Sequence, residues 1–150
     1  MYYQFTINAT LPNLNDFLRA ERVRFTTKYG KTQTRGNIMK HDAQNLIIGF
    51  IRRDLRGLHI DKPIKIHYRI YEPNRKRDLD NVLSFIMKCT QDSLVLAGVI
   101  DNDGWNNIVG ISAEFFVDAT KPRIEVYLIE KEGETNAGKN DKNKAGKNTP

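Results

Sequence analysis

Asp78 and Asp80 lie two residues apart in Arg75-Lys76-Arg77-Asp78-Leu79-Asp80-Asn81, and no other spacing in this sequence suggests chemistry as directly. With Leu79 between them facing elsewhere, the two carboxylates converge on one point where the backbone turns from extended into helical. Anions held that close repel, and a divalent cation bound through oxygen relieves the repulsion. Mg²⁺ or Mn²⁺ is the expected ion. The three cations just before the pair would draw a phosphodiester to the same place. The same residues also have a purely structural use: an Asp ahead of an apolar-periodic run caps a helix, and a second in the first turn complements its dipole.

A second acidic group follows in Gly98-Val99-Ile100-Asp101-Asn102-Asp103-Gly104-Trp105. Its alternation of Asp and Asn imitates a calcium loop, but the sixth position is Asn106 where glycine is required and the twelfth is Ser112 where glutamate is required. That reading is rejected. A turn built of Asp, Asn and Gly needs no function, and Asp101 or Asp103 would meet the first pair only if sheet and helix pack closely. Trp105, the single tryptophan, is expected to pack its large ring on the sheet, with a wedge against a bound partner as the other use. One cysteine, Cys89, and three scattered histidines, His41, His59 and His67, give no zinc-type spacing. The lone cysteine fits a reducing cytoplasm, so a cytoplasmic protein is expected.

The partner is suggested by charge. Lys and Arg number 24 against 18 Asp and Glu, a net +6 in 150 residues, which favours nucleic acid or an anionic membrane surface. No run approaches the roughly 18 apolar residues of a membrane-spanning helix. Arg19, Arg22, Arg24, Lys28, Lys31, Arg35 and Lys40 are opposed in their stretch only by Glu21. This stretch has little apolar periodicity and reads as a long mobile loop, either a solvated polar loop or an arm that contacts phosphates.

The elements that must position these residues alternate along the chain. Tyr3 to Leu11 reads as a strand. Lys40 to Arg56 carries Ala43, Leu46, Ile47, Phe50, Ile51 and Leu55 at helical spacing and is closed by Gly57. Pro63 to Tyr71 alternates as a half-buried strand. From Asp80 to Leu96, apolar residues recur every three or four positions and Gly98 closes a second helix. Two strands, Ile108 to Val117 and Arg123 to Ile129, complete an α+β domain over 1–132, a small mixed β-sheet packed against two α-helices. Residues 133–150 contain two Ala and no larger apolar residue, so a disordered, basic C-terminal tail is expected.

A strand, a basic run, Arg-Asp-Leu-Asp-Asn opening a helix, and Gly-Val-Ile with an acidic turn about twenty residues later together resemble the RusA-type Holliday junction endonucleases, many of them encoded by phages and prophages. The resemblance covers about Tyr3 to Glu130 and is strongest from Pro73 to Trp105. It implies a small homodimer that uses three aspartates and Mg²⁺ or Mn²⁺ to nick four-way DNA junctions symmetrically, in recombination and repair. Carried over, those aspartates are Asp78, Asp80 and Asp103, and Asn102 stands where the family usually has a further Asp. The family's lysine one turn beyond the motif falls on Ser84; Lys88, further along, is the substitute candidate, or else a solvated helix residue. The helix before Gly98 is also about four residues longer than in the family's best-known form.

On this reading Asp78, Asp80 and Asp103 hold the metal, Lys88 or one of Arg75, Lys76 and Arg77 neutralises charge on the phosphate, and Arg22, Arg24, Lys28, Lys31 and Arg35 grip the DNA arms. Two rivals stay open. A non-catalytic DNA-binding module would use the aspartates only as caps and turn formers. A nuclease for flaps or single strands would share the metal chemistry but need more stacking aromatics than Phe25 and Tyr29.

Overall fold

The computed structural model describes residues 1–132, so the expectation of a disordered tail at 133–150 lies outside the described residues. The chain runs β1 (Tyr2–Ile7), α1 (Leu14–Glu21), β2 (Arg24–Thr26), β3 (Thr32–Thr34), α2 (Arg35–Leu55), β4 (Ile64–Glu72), α3 (Leu79–Leu96), β5 (Ile108–Val117) and β6 (Arg123–Glu130). The main sheet has the order β1-β6-β4-β5. β4 and β5 are parallel, joined through α3, while β6 lies antiparallel to both β4 and β1. The class is mixed α+β, as the alternation of periods along the chain implies.

Alternation builds the sheet's two faces. In β4, Ile64, Ile66, Tyr68 and Ile70 are buried towards the helices, and His67, Arg69 and Tyr71 point to the open face. Phe5, Ile7, Ile124, Val126 and Leu128 extend the same buried layer across β1 and β6. Against it pack Ala43, Ile47 and Ile51 of α2 and Val82, Phe85, Ile86, Cys89 and Leu94 of α3, the stripes the helical spacing marks out. Gly98 closes α3 at φ +77 and Gly57 follows α2 at φ +73, left-handed positions that favour glycine.

The stretch from Arg19 to Lys40 is not the expected long loop, and the described residues form three helices rather than two. α1 is held by a capping box at Asn13 and Asp16 and by Phe17, whose ring lies 5.7 Å from that of Phe85. It buries no residue fully, and its apolar face, Leu14, Phe17 and Leu18, extends over only eight residues. β2 and β3 pair as a hairpin whose turn is closed by Thr27 N–H to Lys31 O at 2.8 Å, with Gly30 at φ +79. α2 starts five residues before the expected Lys40, because Thr34 accepts the Asn37 amide on its side chain at 3.0 Å and so caps it. β1 stops at Ile7, four residues short of the expected Leu11.

The two edges of the main sheet differ. On β1, the Asp54 carboxylate accepts the Thr6 amide at 2.9 Å and Arg53 donates to the Thr6 carbonyl at 3.1 Å, so α2 plugs that edge. β5 has only β4 beside it. Its Val109, Ile111 and Val117 are 39–48% exposed.

Candidate active site

Asp78 occupies the N-cap position of α3 with extended backbone at ψ 136°, and Asp80 lies in the first turn. The backbone cap is intact, with the Val82 amide donating to the Asp78 carbonyl at 3.1 Å. The Asp78 side chain, however, makes no cap hydrogen bond. Asn13 and Thr34 use their side-chain oxygens to cap α1 and α2. Both aspartates at α3 are exposed, and among the described residues neither carboxylate has a hydrogen bond or ion pair. The capping use is therefore unfilled where it was most expected, and two oxygen-bearing anions stand free on one turn of backbone. Oxygen donors of this kind suit a hard divalent cation.

The preceding loop is pinned from below. Arg77 donates from Nε and Nη2 to the two carboxylate oxygens of Glu72 at 2.8 and 3.0 Å, and from Nη1 to the Leu11 carbonyl at 2.7 Å. Glu72 is 8% exposed. The guanidinium fork is thus spent on joining the end of β4 to the segment before α1, and Arg77 braces the site from within. Arg75 and Lys76 are exposed beside Asp78. A cleft of about 410 Å³ opens there, between the 74–79 loop and Phe115, Phe116 and Val117 at the end of β5. A larger concavity, about 760 Å³, is an apolar groove between α1 and α2 lined by Ala20, Val23, Ile38 and Leu46, away from the aspartates.

Asp103 lies at the opposite end of the molecule. α3 has 18 residues and so spans about 27 Å. Asp101 to Asn107 then sit at the start of β5, where Asn107 accepts the Ile64 amide at 2.8 Å. β5 runs parallel to β4, so the 99–107 turn stays beside the start of β4 and Asp78 beside its end. Within one chain the three aspartates are not brought together. Lys88 is exposed on α3, about 12 Å beyond Asp80 along the axis, a span longer than a lysine side chain. Ser84 donates its hydroxyl to the Asp80 carbonyl at 2.7 Å.

Arg22, Arg24, Lys28, Lys31 and Arg35 are all exposed, distributed over the hairpin and its flanks. Arg19, at the base of this arm, shares a shallow depression with Leu11 and Arg77, which links the arm to the Asp78 end. Trp105 is 95% exposed, contrary to the expected packing role. The segment before it is anchored by Val99 and Ile100 instead, both 2% exposed.

The far end also holds a group that sequence spacing gave no means to find. The ring of His59 donates from Nδ1 to the Gly98 carbonyl at 2.8 Å, and its Nε2 faces Asp61 Oδ1 at 3.0 Å and Asp101 Oδ1 at 3.6 Å. The Gly98 carbonyl, followed by the two aspartates, raises the His59 pKa above its ordinary value. His59, Asp61 and Asp101, all exposed, together have the donor spacing of a metal site.

No curated protein matches the chain. The family model described as Endodeoxyribonuclease RusA matches residues 18–129, most of the chain and nearly all of the described fold from α1 to β6. The match includes the Asp78–Asp80 turn, the basic arm and the Asp101–Asp103 turn. On that match, the chain belongs to the RusA family of endodeoxyribonucleases.

Proposed function

We propose that this protein is a Mg²⁺- or Mn²⁺-dependent, structure-selective endodeoxyribonuclease that resolves Holliday junctions by paired symmetric nicks, acting as a homodimer. The observation that carries the reading is the Asp78 carboxylate, placed at a helix N-cap and yet unused by the helix, beside an equally free Asp80. Asp78 and Asp80 are the metal ligands of one protomer. Asp103 completes the set from a second copy, since its own chain holds it a helix length away. A divalent ion held by these oxygens supplies a water of lowered pKa and stabilises the leaving oxygen.

The chain's own groups do the rest. Arg75 and Lys76 draw the scissile phosphate towards the aspartates and offset charge that builds on it. Arg77 holds the loop that aims Asp78. Lys88 lies too far along α3 to serve the reacting phosphate of its own Asp80 and borders the strand's path instead. Arg22, Arg24, Lys28, Lys31 and Arg35 contact backbone phosphates of the DNA arms, fixing orientation without reading sequence. Binding then weakens steeply with salt.

The test is a labelled synthetic four-way junction incubated with purified protein and Mg²⁺, Mn²⁺ or EDTA, beside flap, single-stranded and linear duplex controls. Paired nicks that require the metal and vanish in Asp80→Asn are expected. Metal-independent binding without product, equal in wild type and Asp80→Asn, would instead establish a DNA-binding module. Preferential cutting of flaps would move the substrate to other branched DNA.

A further inference from the structure

We infer that His59, Asp61 and Asp101, at the far end of the molecule from Asp78 and Asp80, form a further cation site. It takes a divalent transition ion such as Zn²⁺ through one imidazole nitrogen and two carboxylate oxygens. The inference goes beyond the nuclease reading and does not depend on it.

The backbone builds the cluster before any ion arrives. Ile60 donates its amide to the Val99 carbonyl at 2.8 Å, and Ile60, Val99 and Ile100 are each 2% exposed, so the segment entering β4 is fastened to the chain leaving α3. Ile60 is buried between exposed His59 and Asp61, and buried Ile100 is followed by exposed Asp101, so three ligand-bearing residues emerge around two apolar anchors. The ring is fixed as well. Nδ1 of His59 donates to the Gly98 carbonyl at 2.8 Å, and a carbonyl only accepts, so in the neutral ring the lone pair is on Nε2. Metal-binding imidazoles are commonly held by such a bond from the other nitrogen.

Nε2 faces Asp61 Oδ1 at 3.0 Å and Asp101 Oδ1 at 3.6 Å, and the ligand atoms all lie within 4.8 Å of one another. Three electron-rich atoms this close need positive charge between them. A proton on Nε2 serves Asp61 but leaves Asp101, at 3.6 Å, outside hydrogen-bond range. An ion serves all three: ligands about 2.1 Å from a shared centre at angles of about 90–109° stand about 3.0–3.4 Å apart, close to the spacings from Nε2. The imidazole selects the metal. Zn²⁺ and Co²⁺, ahead of Mn²⁺, accept nitrogen beside oxygen, whereas Mg²⁺ prefers oxygen and keeps its waters. The side chains are 40–86% exposed, so water completes the coordination. A bound ion ties residues 59–61 to the turn after α3 and stiffens the root of the segment that carries Asp103 and Trp105.

The test is calorimetric titration with Zn²⁺, in a large excess of Mg²⁺, of the full chain stripped of metal by EDTA and dialysed. One Zn²⁺ per chain is expected, with a melting temperature that rises with Zn²⁺ concentration. X-ray absorption should place a nitrogen about 2.0–2.1 Å from the metal. His59→Gln and Asp61→Asn, checked for native fold by circular dichroism, should each weaken binding at least about tenfold. Asp61→Asn keeps the bond from His59 to Gly98 and so isolates the loss of a ligand. His67→Gln, and Asp78→Asn combined with Asp80→Asn, should take up Zn²⁺ as wild type does. The site is overturned by no uptake at tens of micromolar, by uptake unchanged in both His59→Gln and Asp61→Asn, by uptake lost with His67 or the Asp78–Asp80 pair, or by displacement with Mg²⁺. Zn²⁺ uptake that follows His59 and Asp61 in a protein that cuts no DNA upholds this site and refutes the nuclease reading alone.

Discussion

Replacing Arg77 by alanine separates a brace from a phosphate contact. In the folded chain its guanidinium makes three hydrogen bonds of 2.7–3.0 Å, two of them to Glu72, whose side chain is 10% exposed against 24% for Arg77. Removing one partner of a fully buried pair costs about 3–5 kcal/mol, chiefly for the stranded charge. Arg77 retains some solvent, which screens the pair, so about 2–3 kcal/mol is expected here. With a urea slope of about 1.5 kcal/mol per molar, the unfolding midpoint should fall by about 1.3–2 M. Arg77→Lys keeps the charge but loses the two-pronged fit and should recover only part of the loss. Glu72→Gln removes the stranded anion, so the double variant should be less damaged than the sum of the two single ones. Cleavage by Arg77→Ala should drop more than junction binding, because the loop that aims Asp78 is released. The reasoning is refuted if Arg77→Ala unfolds at the wild-type midpoint while junction affinity falls and the salt slope shrinks by about one contact, the signature of a phosphate ligand.

Asp78→Asn and Asp80→Asn should each abolish cleavage while leaving stability within about 0.5 kcal/mol, since neither carboxylate bonds to the fold; junction affinity in EDTA should hold or rise as repulsion is removed. Cys89, buried with its thiol pKa pushed up to about 11 by burial, should resist thiol reagents until the protein unfolds, and native labelling within minutes would contradict its placement in the core. The Arg53 guanidinium, helped by the Thr6 amide, holds the Asp54 carboxyl below its ordinary pKa. A lowered folded value adds stability that is present above the unfolded pKa near 3.8 and is lost as pH falls through the folded one. Asp54→Asn should therefore flatten the acid limb of a plot of melting temperature against pH, and an unchanged limb would show that the pair contributes nothing.

Elements that bury a periodic face were legible from the sequence. The stripe from Val82 to Leu94 and the alternation of β4 report contact with the core, and core contact is what periodicity encodes. α1 and the β2–β3 hairpin were missed because they are short: α1 shows its periodic face, Leu14, Phe17 and Leu18, over only eight residues, and the three-residue strands carry one apolar residue between them, Phe25. Asp78 and Asp80 were readable because their relation is local. The fork from Arg77 to Glu72 and Leu11, and the meeting of His59 with Asp61 and Asp101, depend on where β4 and α3 begin and end in space, which spacing does not encode. The distance to Asp103 was implicit in the length of α3. The parallel β4–β5 connection turns that length into a separation, because the chain leaves the helix at the far end and starts its next strand there.

The capped rim of β1 limits growth as well as protecting the sheet. A ribbon with both margins open can add neighbours without end and become a fibre, whereas one sealed on one side by Arg53 and Asp54 has only its other margin left to extend. Unsealing it, as Asp54→Asn would begin to do, invites polymerisation.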